Sequence, residues 1–383
     1  MSFMPHVVML TCALTAALAI AKARRTKSAM WGLLGGAAVG ATSIVRPLDG
    51  MILGVLLGLW LLAALRAQQE WRRRLALVAT YGIGALIVGS IMIPYNRALT
   101  GNARTFPVMA YFDKYYGPGS NSLGFGPGRG IGWGLDPHRG HSPIDALINT
   151  NLNVFTLNTD LFGWSTGSLI LIIVCIVARR WSRTDRLMLA VIAATVALHA
   201  LYWFSGGPDF GPRYWSLILI PCVMLSVSGF DVVQRSLAGN GARAFVALAS
   251  LCVIALTVYV PWRAIDKYHH FRGMRPEIRQ LASSVPFGRS LVLVRGCRHP
   301  DYASAATYNP LDLNAGVPVY AWDVDAATQA RVIDAYQDRP LWIVDGPTIT
   351  RRGFEVRAGP LTRQEMMARS DLLNPPTCEA SAH

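Results

Sequence analysis

Eight apolar segments of close to membrane-spanning length recur along this chain of 383 residues. A helix that crosses about 30 Å of hydrocarbon needs roughly 20 mostly apolar residues, with about 17 as the lower limit. Apolar residues make up 52% of the chain and charged residues only 15%, against about 25% charged in soluble domains. We therefore predict an α-helical polytopic membrane protein of about eight spans. The predicted spans are 5–21, 29–46, 51–66, 75–93, 163–179, 187–204, 213–230 and 244–262.

Basic residues concentrate in alternate connections between these segments. Four such loops carry net charges of +4, +3, +3 and +1, together +11 of the chain's +14. Because cytoplasmic loops of membrane proteins are enriched in Lys and Arg, these loops are predicted to be cytoplasmic. The basic charge then indicates which loops face the cytoplasm, and nucleic acid is not expected as a partner. The four loops are 22–29, 66–74, 179–186 and 230–243.

The opposite side of the bilayer then receives both termini and the long loop 94–162. Its first part, 94–141, is rich in Gly and Pro with interleaved aromatic residues, which favours an ordered loop on the membrane surface over disorder. Ser142 and Asp145 then mark the start of an amphipathic helix. This helix is predicted either to lie in the interface plane or to pack against the bundle.

The composition changes after residue 262, where charges of both signs become common. The sequence divides into a transmembrane region, 1–262, and a small extracytoplasmic α/β domain, 263–383. Strands are predicted at Ser290–Val294, Val317–Trp322 and Leu341–Asp345, with a helix at about 325–337 before the last of them.

The six cysteines fall into two groups. Cys297 and Cys378 are the two in the C-terminal domain, where an oxidising exterior would allow them to pair. Spacing alone leaves that pairing open. The other four are predicted to act as small apolar residues within spans. They are Cys12, Cys175, Cys222 and Cys252.

Ionisable residues near a bilayer are costly and are candidate functional residues. Three clusters lie at the predicted outer ends of spans, and a fourth lies in the long loop. Arginines there suit a phosphate group, and neighbouring aromatic rings suit a sugar or an isoprenoid chain. The alternative for each of the three span-end clusters is an interfacial anchor or a local ion pair. The alternative for the loop residues is a role in ordering the loop. The substrate-binding candidates are Arg46, Asp49, Tyr95, Arg97, Asp113, Lys114, Tyr115, Asp209, Arg213 and Tyr214.

Several stretches between about 30 and 230 resemble bacterial membrane glycosyltransferases of the GT-C fold. GLLGGAAVGATSIVRPLDG is similar to the Gly-rich span ending in an Arg-Pro turn that is common in that family. YNRALTGNARTFPVMAYFDKYYGPGSNSLGFGPGRG, GHSPIDALINTNLNVFTLNTDLFGW and GPDFGPRYW resemble stretches of members related to dolichyl-phosphate-mannose protein mannosyltransferases and aminoarabinose transferases.

This resemblance implies an inner-membrane enzyme with a periplasmic C-terminal domain. It implies transfer of a sugar, with inversion, from a polyprenyl-phosphate carrier to a lipid, glycan or protein acceptor. The family's catalytic Asp lies in its first extracytoplasmic loop, and no such loop precedes residue 22 in the predicted topology. We therefore expect an N-terminally truncated form, inactive alone if so, and assign no catalytic residue.

Two other classes stay open from the sequence. A transporter or lipid flippase predicts charges at mid-span and internal repeats. His199 is the main ionisable residue within a predicted span, and no repeat is evident. A non-catalytic membrane scaffold is the other alternative. No cofactor is expected from the residue pattern, although a divalent metal stays open, and the bilayer and the sugar donor are the expected partners.

Overall fold

The computed structural model describes residues 5–63, 71–132, 139–179, 181–206, 211–237 and 239–373. The chain divides into two compact units, Met1–Val260 and Pro261–His383. The first unit is built from helices and connecting loops. The second contains a four-stranded sheet.

The helices of the first unit are numbered here in chain order. A 3₁₀ segment, Arg213–Ile218, leads directly into α10. The helix that begins as α11 continues to Tyr268 through π-helical turns. The helices are α1 (His6–Thr26), α2 (Ala29–Val45), α3 (Pro47–Ala63), α4 (Trp71–Gly89), α5 (Met92–Thr100), α6 (Pro107–Tyr116), α7 (Pro143–Asp160), α8 (Ile170–Ala178), α9 (Arg183–His199), α10 (Leu219–Ser236) and α11 (Gly241–Ile254).

Four helices among the described residues are long and apolar enough to cross a membrane, and the predicted count of about eight is not confirmed. A bent pair, Pro143–Asp160 with Ser165–Ala178, would make a fifth span, but its axes differ by 112°. α2 and α3 have 17 residues each, about 26 Å at 1.5 Å per residue, which is short of about 30 Å of hydrocarbon. The four helices are His6–Thr26, Trp71–Thr100, Arg213–Ser236 and Gly241–Tyr268.

Small residues allow α2 and α4 to approach backbone to backbone. A Cβ on Gly36 would lie 1.9 Å from the carbonyl oxygen of Tyr81, and a Cβ on Gly84 would lie 2.3 Å from that of Leu33. Close approach of this kind is the usual basis of helix association in lipid, where burial of apolar surface gives no advantage. The Gly-rich sequence of α2 is therefore a packing surface.

The outward faces of several helices are strongly apolar. Leu86 and Ile87 on α4 are 74% and 63% exposed, and Leu256 is 68% exposed. Water would penalise so much exposed apolar surface, whereas lipid would not. The surface of the first unit is thus compatible with a multi-pass membrane protein.

The amphipathic helix predicted after Ser142 is present as α7. The Ser142 hydroxyl accepts from the backbone N–H of Asp145, and the Asp145 carboxylate accepts from the backbone N–H of Ser142, which is a complete capping box. Asn149 and Asn153 are buried, while the apolar Leu147 is 70% exposed. The polar face of α7 therefore packs inward, and its apolar face is left exposed.

The second unit contains the predicted strands. They are β1 (Leu291–Arg295), β2 (Val319–Trp322) and β3 (Leu341–Asp345), all parallel, and the predicted helix is found at Ala326–Ala335. The sheet order is β2-β1-β3-β4. Further helices of this unit are Glu277–Ser284, His299–Ala306, Pro347–Thr350, Arg363–Ala368 and Ser370–Leu373.

The fourth strand, β4 (Glu355–Leu361), was not expected from the sequence, and it pairs antiparallel with β3. Its sequence includes Gly359 and Pro360, which argue against a strand in the middle of a sheet. An edge position tolerates them because one side of the strand needs no ladder hydrogen bonds. The prediction missed β4 for that reason.

The cysteines agree in part with the expectations. Cys297 is disulfide-bonded, and Cys378 lies outside the described residues. Cys12, Cys175, Cys222 and Cys252 are free thiols, and Cys175 and Cys222 are buried.

The α2–α4 contact gives a direct test of the packing. We expect Gly36→Val to destabilise the protein by about 1–3 kcal/mol, because the side chain would have to displace the backbone of α4. Gly82→Val on α4 is the matched control, since a Cβ there has no neighbour within 4 Å. The measurement is the free energy of unfolding of the full chain in detergent. Equal effects of the two variants would contradict the close helix contact.

Carboxylates collect at the carboxyl ends of the parallel strands in the second unit. Asp323 follows β2 and is fully buried, and burial raises its pKa to about 6, although Gln329 donates to it. Burial also raises the pKa of Asp345, which lies 3.1 Å from Arg295, and of Asp301. The charged forms of these groups are therefore unfavourable in the native domain.

Asp323 predicts a pH dependence of the domain's stability. Because its pKa rises from 3.8 to about 6 on folding, its stabilising contribution is complete below about pH 4 and is lost as the pH rises through about 6. Asp323→Asn should remove this dependence, which amounts to at most about 3 kcal/mol.

The measurement is hydrogen exchange of the β1 amides in the full chain between pH 4 and 8. Asp325→Asn is the control, since that exposed residue caps helix Ala326–Ala335 and its hydrogen bonds to Thr328 lower its pKa. Its contribution has the opposite pH dependence. An unchanged pH profile in Asp323→Asn would refute the assignment.

Candidate functional site

Arg46 lies at the elbow between α2 and α3. Pro47 follows it, and a residue before proline is driven out of helical conformation. Arg46 accordingly has φ −146° and ψ 95°, so α2 ends at Val45 and α3 begins at Pro47. This elbow directs the Arg46 side chain toward the 3₁₀ segment before α10.

The Arg46 guanidinium binds several groups in that segment. Its Nη1 donates to the carbonyl oxygen of Arg213 at 3.0 Å and to Ser216 Oγ at 2.7 Å. Its Nη2 donates to the carbonyl oxygen of Tyr214 at 3.3 Å. A planar fork of five donors suits this task, which a lysine could not reproduce.

Asp49 completes this group and joins it to α9. Its Oδ2 lies 2.9 Å from Arg46 Nε and forms an ion pair with it. The N–H of Arg46 is poorly aligned for a hydrogen bond to this oxygen, so the contact is mainly an attraction between charges. Its Oδ1 lies 3.2 Å from His199 Nε2. Asp49 is completely buried, and the other ring nitrogen of His199, Nδ1, is buried without a hydrogen-bond partner among the described residues. We call Arg46, Asp49, His199 and Ser216 the Arg46 network.

Aromatic rings surround this network on one side. The Arg213 guanidinium carbon lies 5.7 Å from the ring centroid of Phe204 and 5.5 Å from that of Tyr214. The Tyr202 and Tyr214 rings are 5.3 Å apart. Tyr202, Phe204 and Tyr214 form what we call the aromatic cluster, beside which Arg213 is partly exposed.

The long loop is tied to the same end of α9. Asn121 Oδ1 accepts from Tyr202 Oη and from Trp203 Nε1, each at 3.0 Å. His141 Nε2 lies 3.0 Å from the carbonyl oxygen of Ala200. A cavity of about 540 Å³ opens within the loop. Its lining residues are Tyr116, Pro127, Gly128, Gly130, Ile131, Gly132, Arg139 and Gly140.

The structure brings together four of the ten predicted residues, Arg46, Asp49, Arg213 and Tyr214. Asp209 lies outside the described residues. The remaining five lie elsewhere in the described part of the chain, and none of them forms a hydrogen bond or ion pair with Arg46 or Asp49.

Those five residues are exposed, and the contacts that they make are local. Tyr95 and Arg97 are exposed on α5. Asp113 Oδ1 accepts from the backbone N–H of Gly119 at 2.8 Å, and Lys114 lies over the Tyr115 ring at 5.2 Å. The loop-ordering alternative describes Asp113 well.

Sequence reasoning did not include His199, Tyr202 or Asn121 among the site residues. The sequence did contain a sign that His199 is functional, since it is an ionisable residue within a predicted span. Tyr202 and Asn121 had no such sign, because their contact joins positions 81 residues apart. Among the described residues, no group of three or more His, Cys, Asp or Glu could hold a metal ion.

Comparisons with protein-family models, curated proteins and solved structures find no match to this chain. The resemblance to GT-C glycosyltransferases therefore rests on the sequence stretches quoted above. The geometry of the Arg46 network is the independent observation on which a function can be argued.

The Arg46–Asp49 pair predicts strong energetic coupling. We expect Arg46→Gln and Asp49→Asn each to destabilise the unit by about 3–5 kcal/mol, because each leaves a buried partner uncompensated. The double variant should cost much less than the sum of the two. The free energies of unfolding of the four proteins in detergent measure this coupling.

The exposed pair Asp231 and Arg235 on α10 is the control. These side chains are 52% and 70% exposed with a closest distance of 3.9 Å, so their coupling should stay below about 0.5 kcal/mol. A coupling at Arg46–Asp49 no larger than this would show that the network does not join the helices.

Proposed function

We propose that the protein is a membrane glycosyltransferase that moves a sugar from a polyprenyl-phosphate carrier to a lipid, glycan or protein acceptor. In this proposal the reaction takes place at the extracytoplasmic face of a bacterial inner membrane. The observation that carries it is the buried Arg46 network beside Arg213 and the aromatic cluster, at the ends of apolar helices. Buried ionisable groups are expensive in such a unit, which favours a functional role.

Arg213 is the proposed contact for the carrier phosphate. Arg46 is engaged by Asp49, Ser216 and backbone carbonyls, so it acts as a positioning residue. It holds the carbonyl oxygens of Arg213 and Tyr214, and thereby fixes where the Arg213 side chain begins. Arg213 is partly exposed, and the planar fork of a guanidinium matches the geometry of phosphate oxygens.

The aromatic cluster fits the remaining parts of such a donor. Tyr202, Phe204 and Tyr214 present ring faces and edges beside Arg213. Such surfaces accept the apolar face of a sugar or an isoprenoid unit. The phosphate and the group attached to it would then be recognised by neighbouring residues.

His199 is the proposed general base. An ionised Asp49 only accepts hydrogen bonds, so its contact with Nε2 places the ring proton there and leaves the Nδ1 lone pair as a proton acceptor. During transfer, the acceptor oxygen bonds to the anomeric carbon, and the bond from that carbon to the phosphate oxygen breaks. The acceptor hydroxyl proton passes to His199 Nδ1, and the electron pair leaves with the polyprenyl phosphate.

The test is sugar transfer by the full chain reconstituted in proteoliposomes with labelled polyprenyl-phosphate sugars. We expect His199→Gln to lower transfer by about 10²–10⁴-fold, which is the usual contribution of a general base, with donor binding retained. Arg213→Gln should weaken donor binding by about tenfold or more, as loss of a charged hydrogen bond does.

Arg104→Gln is the control, because Arg104 is exposed and its backbone contact is local, to Asn102. Donor binding by the folded chain without transfer would favour a lipid flippase or transporter. Absence of donor binding by the folded chain would leave the scaffold alternative and refute the enzyme. Wild-type transfer by His199→Gln would refute the assignment of the base.

A further inference from the structure

A second cavity, of about 260 Å³, lies where α1 and α3 end and where α4 and α9 begin. The cationic residues that line it belong to three loops that the charge distribution predicts to be cytoplasmic, 22–29, 66–74 and 179–186. We call it the basic cavity. Its lining residues are Arg24, Lys27, Leu61, Ala63, Arg74, Leu77 and Arg183.

The basic cavity concentrates positive charge. Four of its seven described lining residues are cationic, and none of the seven is acidic. Arg24 is close enough to Arg74 and Arg183 to be repelled by their charges. Like charges held together in a partly desolvated space are unfavourable unless a counter-charge is present. An anion in the cavity would remove this repulsion.

Arg24 is held in a fixed position within this group. Its guanidinium carbon lies 4.3 Å from the ring centroid of Trp60, which orients the planar group by a cation–π contact. One guanidinium nitrogen, Nη1, is buried and has no hydrogen-bond partner among the described residues. A buried donor without a partner is costly, and a bound oxygen atom would satisfy it.

The acidic residue nearest to Arg183 in the sequence is already engaged. Asp185 accepts from the backbone N–H of Ser182 and from Ser228 Oγ, each at 2.8 Å. Its carboxylate therefore fixes the start of α9 and its contact with α10. The Asp185 oxygens are thus directed at these donors and form no ion pair with Arg183 in the described part of the chain.

We propose that the basic cavity binds a phosphate group, as the headgroup of an anionic phospholipid or as soluble phosphate. The guanidinium groups of Arg24 and Arg183 donate to its oxygens, which matches the forked geometry of arginine to phosphate. Leu61, Ala63 and Leu77 give the cavity an apolar wall, which suits the glycerol end of a lipid. The volume exceeds the roughly 30 Å³ of one water several-fold and leaves room for a phosphate.

The test titrates short-chain phosphatidylglycerol into the detergent-solubilised full chain and follows the thermal unfolding midpoint. Short-chain phosphatidylcholine and inorganic phosphate form two further arms. We expect phosphatidylglycerol to raise the midpoint with saturation, and phosphatidylcholine to leave it unchanged. A rise with inorganic phosphate as well assigns the site to phosphate itself, whereas a rise with phosphatidylglycerol alone assigns it to the lipid.

Arg24→Gln and Arg183→Gln should each raise the half-saturation concentration about tenfold or more, because a charge-assisted hydrogen bond is lost. Arg25→Gln is the matched control, since it removes the same charge one residue away from Arg24 and lies outside the lining. Arg183 is exposed, so its variant keeps the test valid if Arg24→Gln fails to fold. An equal loss in Arg25→Gln, or no saturable response to either anion, overturns the proposal.

Discussion

One guanidinium group joins the ends of four helices in the first unit. The Arg46 side chain extends from the elbow between α2 and α3. It pairs with Asp49 at the start of α3 and binds the segment that leads into α10. Through Asp49 it also reaches His199 at the end of α9. Since a charge in an apolar unit needs compensation from close partners, these helix ends cannot separate without a large cost. The relative positions of Arg213 and of the aromatic cluster depend on that constraint.

The same unit uses two different devices to associate its helices. At the middle of α2 the contact is backbone to backbone, with Gly36 and Gly84 allowing the approach. At the end of α2 the contact is ionic and directional. Packing of small residues sets how closely the two helices approach, whereas a forked hydrogen-bond donor adds fixed hydrogen-bond geometry. The two devices together explain why the elbow is both tight and well defined.

Local signals in the sequence predicted local structure well. The capping box of α7, the stop at Arg46-Pro47 and the strands β1 to β3 are each encoded within a few residues. For contacts between distant segments, the sequence predicted only which side of the membrane each segment faces. That prediction placed Arg46 and Arg213 on the same side, but it placed Tyr95 and Arg97 there as well and could not exclude them from the site. The number of spans was harder to predict, because an apolar segment of 17 residues can cross a locally thinned bilayer or pack within the protein.

Charge balance links the Arg46 network to the chemistry proposed for it. Arg46 and Asp49 cancel each other, so the network as a whole is neutral only while the His199 ring is neutral. Asp49 is shared between the two bases, and the stronger base, Arg46, holds its proton permanently. The imidazole is therefore the member of the network to which the proposal assigns the gain and loss of a proton. A proton arriving from an acceptor hydroxyl would place a transient positive charge beside Asp49, which is already oriented to stabilise it, and next to the departing phosphate.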